Sequence, residues 1–122
     1  MARILIVDDS PSQLIGMRRT VEKLGHQVVT AEDGAAGVET AKRELPDLIL
    51  MDVVMPNLNG FQATRTIAKD SKTSHIPIIM VTTKDQETDR VWGMRQGAKA
   101  YVTKPINDTE LKNTIEKLLA KH

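Results

Sequence analysis

Residues 3–12 read "RILIVDDSPS", a short apolar run that ends on two adjacent aspartates. The four apolar residues 4–7 neither alternate with polar residues nor reach helical length, which is typical of a strand buried on both faces of a parallel sheet. Other short apolar runs follow at 28–29, 48–51, 76–81 and, with the mixed composition of an edge strand, 100–103. Two acidic side chains at the end of a buried strand require a chemical reason.

Segments of helical length separate these runs. Ser10 suits the N-cap of the first helix, with Pro11 at its first position and Gln13 at its third. This helix is predicted to end at Gly25. The later helices are predicted to begin at Asp33-Gly34, at Asn57 or Asn59, at Asp85 and at Asn107. Five strand–helix pairs in succession predict a doubly wound α/β fold with a five-stranded parallel sheet and five helices.

The composition narrows the class of protein. A chain of 122 residues that is 40% hydrophobic and 27% charged can bury the core of one domain, which we expect to span residues 1–122. Lys+Arg 17 against Asp+Glu 16 leaves no basic footprint, so we expect no nucleic-acid partner. The absence of cysteine excludes disulfides and thiolate metal sites. The N-terminus is not a secretory signal and no apolar run could cross a bilayer, so we expect a cytoplasmic protein, monomeric and without membrane insertion.

Polar side chains follow the predicted strands at their carboxyl ends, where ligands bind in open parallel sheets. These residues are Asp8, Asp9, Asp52, Thr82, Thr83 and Lys104. Two carboxylates ~4 Å apart repel by roughly 4 kcal/mol at an effective dielectric near 20, so either a carboxyl keeps its proton or a cation lies among them. Carboxylate oxygens without histidine or cysteine favour Mg²⁺.

A metal beside a carboxylate, an ammonium and hydroxyl groups also suits a phosphoryl group, whose transfer depends mainly on positioning and charge neutralisation. A carboxylate with a pKa near its ordinary value of ~4 is ionised at neutral pH and can attack phosphorus without a base. In a simpler interpretation, Asp8 and Asp9 only cap the first helix. That interpretation is weaker, because one cap needs one acceptor and Ser10 already offers it.

Four motifs, in order along the chain, resemble the receiver domain of bacterial response regulators, of the stand-alone CheY-like kind. They are Asp8-Asp9, "MDVVMPNLNG" around Asp52, Thr82 at the end of the fourth strand, and Lys104-Pro105. The resemblance covers the whole chain, and the set is far more specific than any one motif. It implies a flavodoxin-like (βα)5 fold with the strand order 2-1-3-4-5.

The resemblance also implies a metal site. Asp52 would accept a phosphoryl group from a partner histidine kinase. Asp9, Asp52 and the backbone carbonyl of Val54 would bind Mg²⁺ directly, and Asp8 at least partly through water.

A second group of residues is implied to bind the phosphoryl group and to respond to it. Lys104 would pair with the phosphoryl group, the Thr82 hydroxyl would move to bond it, and the Thr83 backbone N–H would assist. The peptide bond before Pro105 would be cis. Tyr101 would be the switch aromatic, turning inward when Thr82 is drawn to the phosphoryl group.

The resemblance makes the protein a phosphorylation-dependent switch of a two-component, chemotaxis-like phosphorelay. The stretches "LNGFQATR" (58–65) and "VTTKDQETDRVWGMRQGA" (81–98) are similar to regulators of type IV pilus, twitching-motility signalling, the PilH type. The output would come from binding an unidentified protein, and the surface expected to bind it comprises Arg90, Trp92, Arg95, Lys99, Tyr101 and part of the last helix.

Trp92 has two interpretations of equal weight. The helical spacing places Val91, Met94 and Ala98 in the core stripe of the fourth helix, which moves Trp92 to the flank. There it would be either an anchor for a partner or a packing neighbour of Tyr101.

Three other functions remain open at this point. The protein could be a phosphate sink that takes phosphoryl groups from a shared kinase. It could be a Mg²⁺-dependent phosphohydrolase with an aspartyl nucleophile, although such enzymes usually carry a second acid where Val54 stands. A flavin-binding module on the same fold lacks its phosphate loop after the first strand. We expect no enzyme activity beyond the protein's own phosphoryl transfer and slow autodephosphorylation.

Overall fold

Strands and helices alternate in the computed structural model, which describes residues 1–120; Lys121 and His122, at the end of the predicted domain, lie outside the described residues. The strands are β1 (Arg3–Val7), β2 (Gln27–Ala31), β3 (Leu48–Met51), β4 (Ile78–Thr82) and β5 (Ala100–Thr103). The helices are α1 (Pro11–Lys23), α2 (Gly34–Glu44), α3 (Gly60–Lys69), α4 (Glu87–Gln96) and α5 (Asp108–Leu119). Over this part of the chain, the predicted succession of five strand–helix pairs is confirmed.

All strands within residues 1–120 belong to one parallel sheet in the order β2-β1-β3-β4-β5, which confirms the flavodoxin-like order 2-1-3-4-5. The order changes direction at β1, because β2 pairs with one side of β1 and β3 with the other. Val7, the last residue of β1, lies opposite Met51, the last residue of β3. The residues that follow these two strands are therefore neighbours at the carboxyl edge of the sheet.

Both faces of the sheet are covered, which explains why its strands read as continuous apolar runs. Leu5 and Val7 belong to the core that includes buried residues of α2 and α3. Ile4 and Ile6 belong to the opposite core, which includes buried residues of α1 and α5. The strands, and with them the carboxyl edge of the sheet, are thus packed between two apolar layers.

Three of the five described helix starts follow the predicted capping chemistry, whereas at the start of α1 the Ser10 side chain makes no capping bond. The side chains of Asp33, Asn59 and Asn107 each accept a backbone N–H of the first helical turn. The prediction that Asp85 caps α4 is wrong, since Gln86 is the N-cap residue. The Gln86 backbone N–H donates to the carboxylate of Asp89, three residues on, at 3.3 Å. Helix α4 therefore begins one residue later than predicted.

The core stripe predicted for α4 is also wrong for two of its three members. Val91 and Met94 are 44% and 43% exposed, whereas Ala98 is buried. The helix instead turns Gly93 inward, where an added Cβ would lie 2.8 Å from the Met80 sulfur and 3.2 Å from the Tyr101 ring. Because glycine has no side chain, an apolar pattern cannot reveal that it faces the core.

The described helices are short, and α1 has 13 residues. A helical bilayer crossing needs about 20 predominantly apolar residues. Among the helices between residues 1 and 120, none has the length and apolar character required to span a membrane.

Gly60 fixes the start of α3 against the loop that follows β3. Its backbone N–H donates to the Val53 carbonyl at 2.9 Å. A Cβ on Gly60 would lie 2.0 Å from the Asp52 carbonyl oxygen and 2.7 Å from the Val53 Cα. Both neighbours are backbone atoms, so only glycine allows α3 to approach the chain at Asp52 this closely.

We expect Gly60→Ala to lower the free energy of unfolding by about 3 kcal/mol or more, because backbone must shift to admit the methyl group. The matched control is Gly16→Ala in α1, where an added Cβ meets no atom within 4 Å. That change should raise the free energy of unfolding by up to about 1 kcal/mol through helix propensity. Urea denaturation measures both, and a Gly60→Ala protein as stable as the wild type would contradict the argument.

Candidate functional site

Three carboxylates meet at the carboxyl edge of the sheet, where the strand order changes direction. Asp8 and Asp9 follow β1 and Asp52 follows β3, and one carboxylate oxygen from each lies within 4.8 Å of the others. Asp8 and Asp52 are buried, at 1% and 7% exposure, whereas Asp9 is exposed. The backbone N–H of Asp52 donates to the Val7 carbonyl at 2.9 Å, so the parallel pairing itself brings the two chain segments together.

Lys104 brings a positive charge to this cluster from the end of β5. Its Nζ lies 2.8 Å from Asp8 Oδ2 and 3.8 Å from Asp52 Oδ1. The Lys104 backbone N–H donates to the Thr82 carbonyl at 2.8 Å, and the Lys104–Pro105 peptide bond is cis, as the resemblance implied. The sequence left open whether a retained proton or a cation stabilises the carboxylates, and Lys104 provides one cation among them.

The electrostatic environment of Asp52 is dominated by burial. Burial raises the pKa of Asp52 from its ordinary 3.8 to about 6; the charge of Lys104 opposes this rise, and the charge of Asp8 adds to it. The Val53 N–H, which donates to Asp52 Oδ1 at 2.9 Å, also favours the ionised form. The expectation of a pKa near ~4 is therefore wrong, but a carboxyl with a pKa of about 6 is still mostly ionised at neutral pH.

Thr82 and Tyr101 are joined through the backbone of Lys84. The Lys84 N–H donates to the Thr82 hydroxyl at 3.3 Å, and the Tyr101 hydroxyl donates to the Lys84 carbonyl at 2.7 Å. Thr82 and Tyr101 are both buried, so Tyr101 stands in the inward orientation. Thr83 is exposed beside them at the edge of the sheet. A movement of the Thr82 hydroxyl would therefore act on Tyr101 through one residue.

Arg90 has a role that the sequence did not indicate, since it was expected only on the output surface. Its guanidinium carbon lies 5.3 Å from the centre of the Tyr101 ring, within the range of a cation–π contact. Its Nη1 also donates to the Tyr101 carbonyl at 3.2 Å. Burial raises the pKa of Tyr101 to about 12, which keeps its hydroxyl protonated as a donor to Lys84.

The contact between Gln13 and Lys104 is a second feature that sequence reasoning missed. Its side-chain carbonyl accepts a hydrogen bond from Lys104 Nζ across 91 residues of sequence. The same side chain was expected to complete a capping box with Ser10 at the start of α1. No signal in the sequence connects residue 13 with residue 104, since only the fold brings α1 beside the end of β5.

The chemistry of the donors fits a divalent ion. Asp8, Asp9 and Asp52 provide carboxylate oxygens only, and such a set suits Mg²⁺ better than a transition metal. Val54, whose backbone carbonyl was expected to bind the metal, follows Asp52 by two residues and is 54% exposed. An acidic cluster of this kind is typical of Mg²⁺ binding.

The fold and this cluster define a class of protein. The profile of the family described as the response regulator receiver domain matches residues 4–116. The chain therefore belongs to the response regulator receiver family, which the motifs predicted. Such domains are components of signalling systems rather than classical enzymes, and they take phosphate from histidine kinases.

Individual proteins are similar to the chain over nearly its whole length. The chain is 60% identical over 120 residues to Protein PilH of Pseudomonas aeruginosa, and the match covers 98% of this chain and 99% of that protein. The predicted similarity to the PilH type is therefore confirmed. Among solved structures, Vibrio cholerae CheY4 has a TM-score of 0.90 at 32% identity, covering 97% of this chain and 98% of that one.

A third similar structure is the receiver domain of the sensor histidine kinase PA1611 from Pseudomonas aeruginosa, described with a magnesium ion coordinated in its active-site cleft. It has a TM-score of 0.91 at 31% identity, and the match covers 98% of both chains. The CheY-like similarity predicted from the motifs therefore extends over nearly all of the structure.

The raised pKa of Asp52 predicts a pH-dependent stability. Because the folded protein binds this proton more tightly than the unfolded chain, the ionised carboxylate destabilises the fold as the pH rises from about 4 through 6. Asp52→Asn, in EDTA at pH 7.5, should therefore raise the free energy of unfolding by on the order of 1 kcal/mol. Urea denaturation from pH 4 to pH 8 checks this, and a gain that does not shrink below pH 6 would contradict it.

Proposed function

We propose that the protein is a phosphorylation-dependent switch in which Asp52 accepts a phosphoryl group from a histidine kinase. The observation that carries the proposal is the ionisable, buried Asp52 carboxylate in a three-carboxylate cluster, 3.8 Å from the Lys104 ammonium. The family to which the chain belongs supports the same assignment. We propose one receiver domain over residues 1–122, monomeric and cytoplasmic.

The chemical step is an exchange of bonds at phosphorus. A carboxylate oxygen of Asp52 attacks the phosphorus of a phosphohistidine, so that an O–P bond forms while the P–N bond breaks. The electron pair of the broken bond returns to the imidazole nitrogen of the kinase. With a pKa of about 6, Asp52 is mostly ionised at neutral pH and needs no base. The ammonium of Lys104 provides positive charge where the phosphoryl oxygens arrive.

We propose Mg²⁺ as the cofactor of this site. Asp9, Asp52 and the backbone carbonyl of Val54 would hold it directly, and Asp8 at least partly through water. The bound ion supplies neutralisation of the charge that gathers on the phosphoryl oxygens. The all-oxygen cluster and the magnesium ion described in the receiver domain of PA1611 support this choice.

The response would pass from the phosphoryl group to Tyr101. The Thr82 hydroxyl and the Thr83 N–H would bond the phosphoryl oxygens, and Lys104 would pair with them. The bond from Lys84 N–H to Thr82 and the bond from Tyr101 to the Lys84 carbonyl support a coupling between Thr82 and the ring. A phosphoryl group shifts the population only if it binds one arrangement of these residues better than the other.

The output would be a change in binding to another protein. On α4, Val91, Trp92 and Met94 are each more than 40% exposed and form an apolar patch. Arg95 and Lys99 are exposed nearby, and Arg90 covers Tyr101 at its border. An exposed apolar patch with a basic rim suits a protein partner. The similarity to PilH supports a place in type IV pilus twitching motility, as an output regulator or as a phosphate sink for a shared kinase.

We expect wild-type protein with Mg²⁺ and acetyl phosphate to gain one acid-stable, base-labile phosphoryl group, and Asp52→Ala to gain none. Intact-mass measurement counts the added groups. Asp85→Ala is a matched control, since Asp85 is an exposed aspartate outside the cluster. Labelling of Asp52→Ala would overturn the assignment of the phosphoacceptor. Rapid turnover of free organic phosphates would instead favour the phosphohydrolase.

Trp92→Ala should weaken capture of a partner by beryllofluoride-treated protein at least about fivefold, because half-exposed tryptophans in apolar patches are frequent binding anchors. Phosphorylation by acetyl phosphate should not change, since Trp92 lies on α4 and outside the acidic cluster. Quantitative pull-down from a lysate compares the two forms, with the exposed Thr88→Ala as control. A loss of folding in Trp92→Ala would support a packing role instead.

A further inference from the structure

Gln13 occupies the third position of α1, from which its side chain could complete a capping box with Ser10. It does not, because the Ser10 backbone N–H already donates to Asp8 Oδ1 at 2.9 Å. The Ser10 side chain makes no capping bond either. Asp8 therefore occupies the donor that Gln13 would satisfy, and the Gln13 amide bonds Lys104 instead.

The partners of the Lys104 ammonium are distributed unevenly. Asp8 Oδ2 at 2.8 Å and the Gln13 side-chain oxygen each accept one of its three N–H donors. Asp52 Oδ1, at 3.8 Å, is within the range of an ion pair but beyond that of a hydrogen bond. One donor of a side chain that is only 9% exposed is thus left for the region next to Asp52.

We propose that Gln13 is a positioning residue, which holds the Lys104 ammonium beside Asp52 without letting it pair with the nucleophile. The inference rests on the proposed function of Asp52. A direct hydrogen bond from the ammonium to Asp52 would draw electron density from the carboxylate that must attack phosphorus. With two donors held by Asp8 and Gln13, the ammonium stays close enough to attract a phosphoryl group and far enough to leave Asp52 accessible.

A neutral acceptor suits this position. The cluster already holds three carboxylates against one lysine, so a glutamate at residue 13 would add a fourth negative charge and repel the phosphoryl group. A side chain without an acceptor would leave Lys104 free to move toward Asp52. Gln13, Thr83 and Lys104 also line one cleft of about 470 Å³.

The first test measures the affinity for beryllofluoride, a phosphoryl analogue, at saturating Mg²⁺ by NMR titration. Gln13→Met keeps the length of the side chain but lacks the acceptor, and Gln13→Asn keeps the amide but is one methylene shorter. Both should weaken binding by about five- to tenfold, the effect of one partly exposed hydrogen bond to a charged group. Ser12→Ala, on the same turn of α1, should bind as the wild type does.

The second test separates positioning from a structural role of Gln13 in α1. The rate of phosphorylation by acetyl phosphate is measured for Gln13→Met alone and in a Lys104→Met background. If Gln13 acts through Lys104, its substitution slows the wild type about fivefold and has no further effect once the ammonium is absent. Unfolding in urea should give similar stabilities for Gln13→Met and Gln13→Asn.

The outcomes are distinct. If wild-type protein neither binds beryllofluoride nor is phosphorylated, the proposed function fails, and the inference falls with it. If the wild type does both and the two Gln13 variants match Ser12→Ala, only the positioning role is overturned. An equal loss of rate with and without Lys104 also overturns it, while a loss confined to proteins that retain Lys104 supports it.

Discussion

The carboxyl edge of this sheet depends on the ion pair between Lys104 and Asp8, whose atoms lie 2.8 Å apart with both side chains almost fully buried. A buried charge without a partner is strongly destabilising, and this edge holds two buried carboxylates. The ammonium compensates Asp8 by direct contact and attracts Asp52 from 3.8 Å. It thereby limits the rise of the Asp52 pKa to about 6, which keeps a buried carboxyl mostly ionised at neutral pH.

The fold and the residues of the charged cluster could be predicted from the sequence for one topological reason. In a parallel sheet every strand ends at the same edge, so residues after the apolar runs must lie near one another. Asp8 and Asp52 are 44 positions apart in the chain, yet Val7 and Met51 are register partners. The apolar runs could be recognised as strands because both faces of each strand are buried.

The features that escaped prediction are those set by packing between elements. The inward face of α4 is marked by Gly93, which carries no apolar signal, so Val91 and Met94 were placed in the core although they face solvent. The bond from Lys104 to Gln13 joins residues that share no pattern in sequence, and local capping rules assigned Gln13 to Ser10. The rise in the Asp52 pKa comes mainly from burial, which a residue's identity does not reveal.

The connection between Thr82 and Tyr101 runs through peptide atoms of Lys84 and makes no use of its side chain. Any amino acid except proline, which lacks the N–H, can provide both the donor and the acceptor at this position. The chemical character of residue 84 can therefore diverge among homologous proteins without interrupting the mechanical route to Tyr101. The charge that residue 84 presents at this exposed position and the link between Thr82 and Tyr101 can therefore be changed independently.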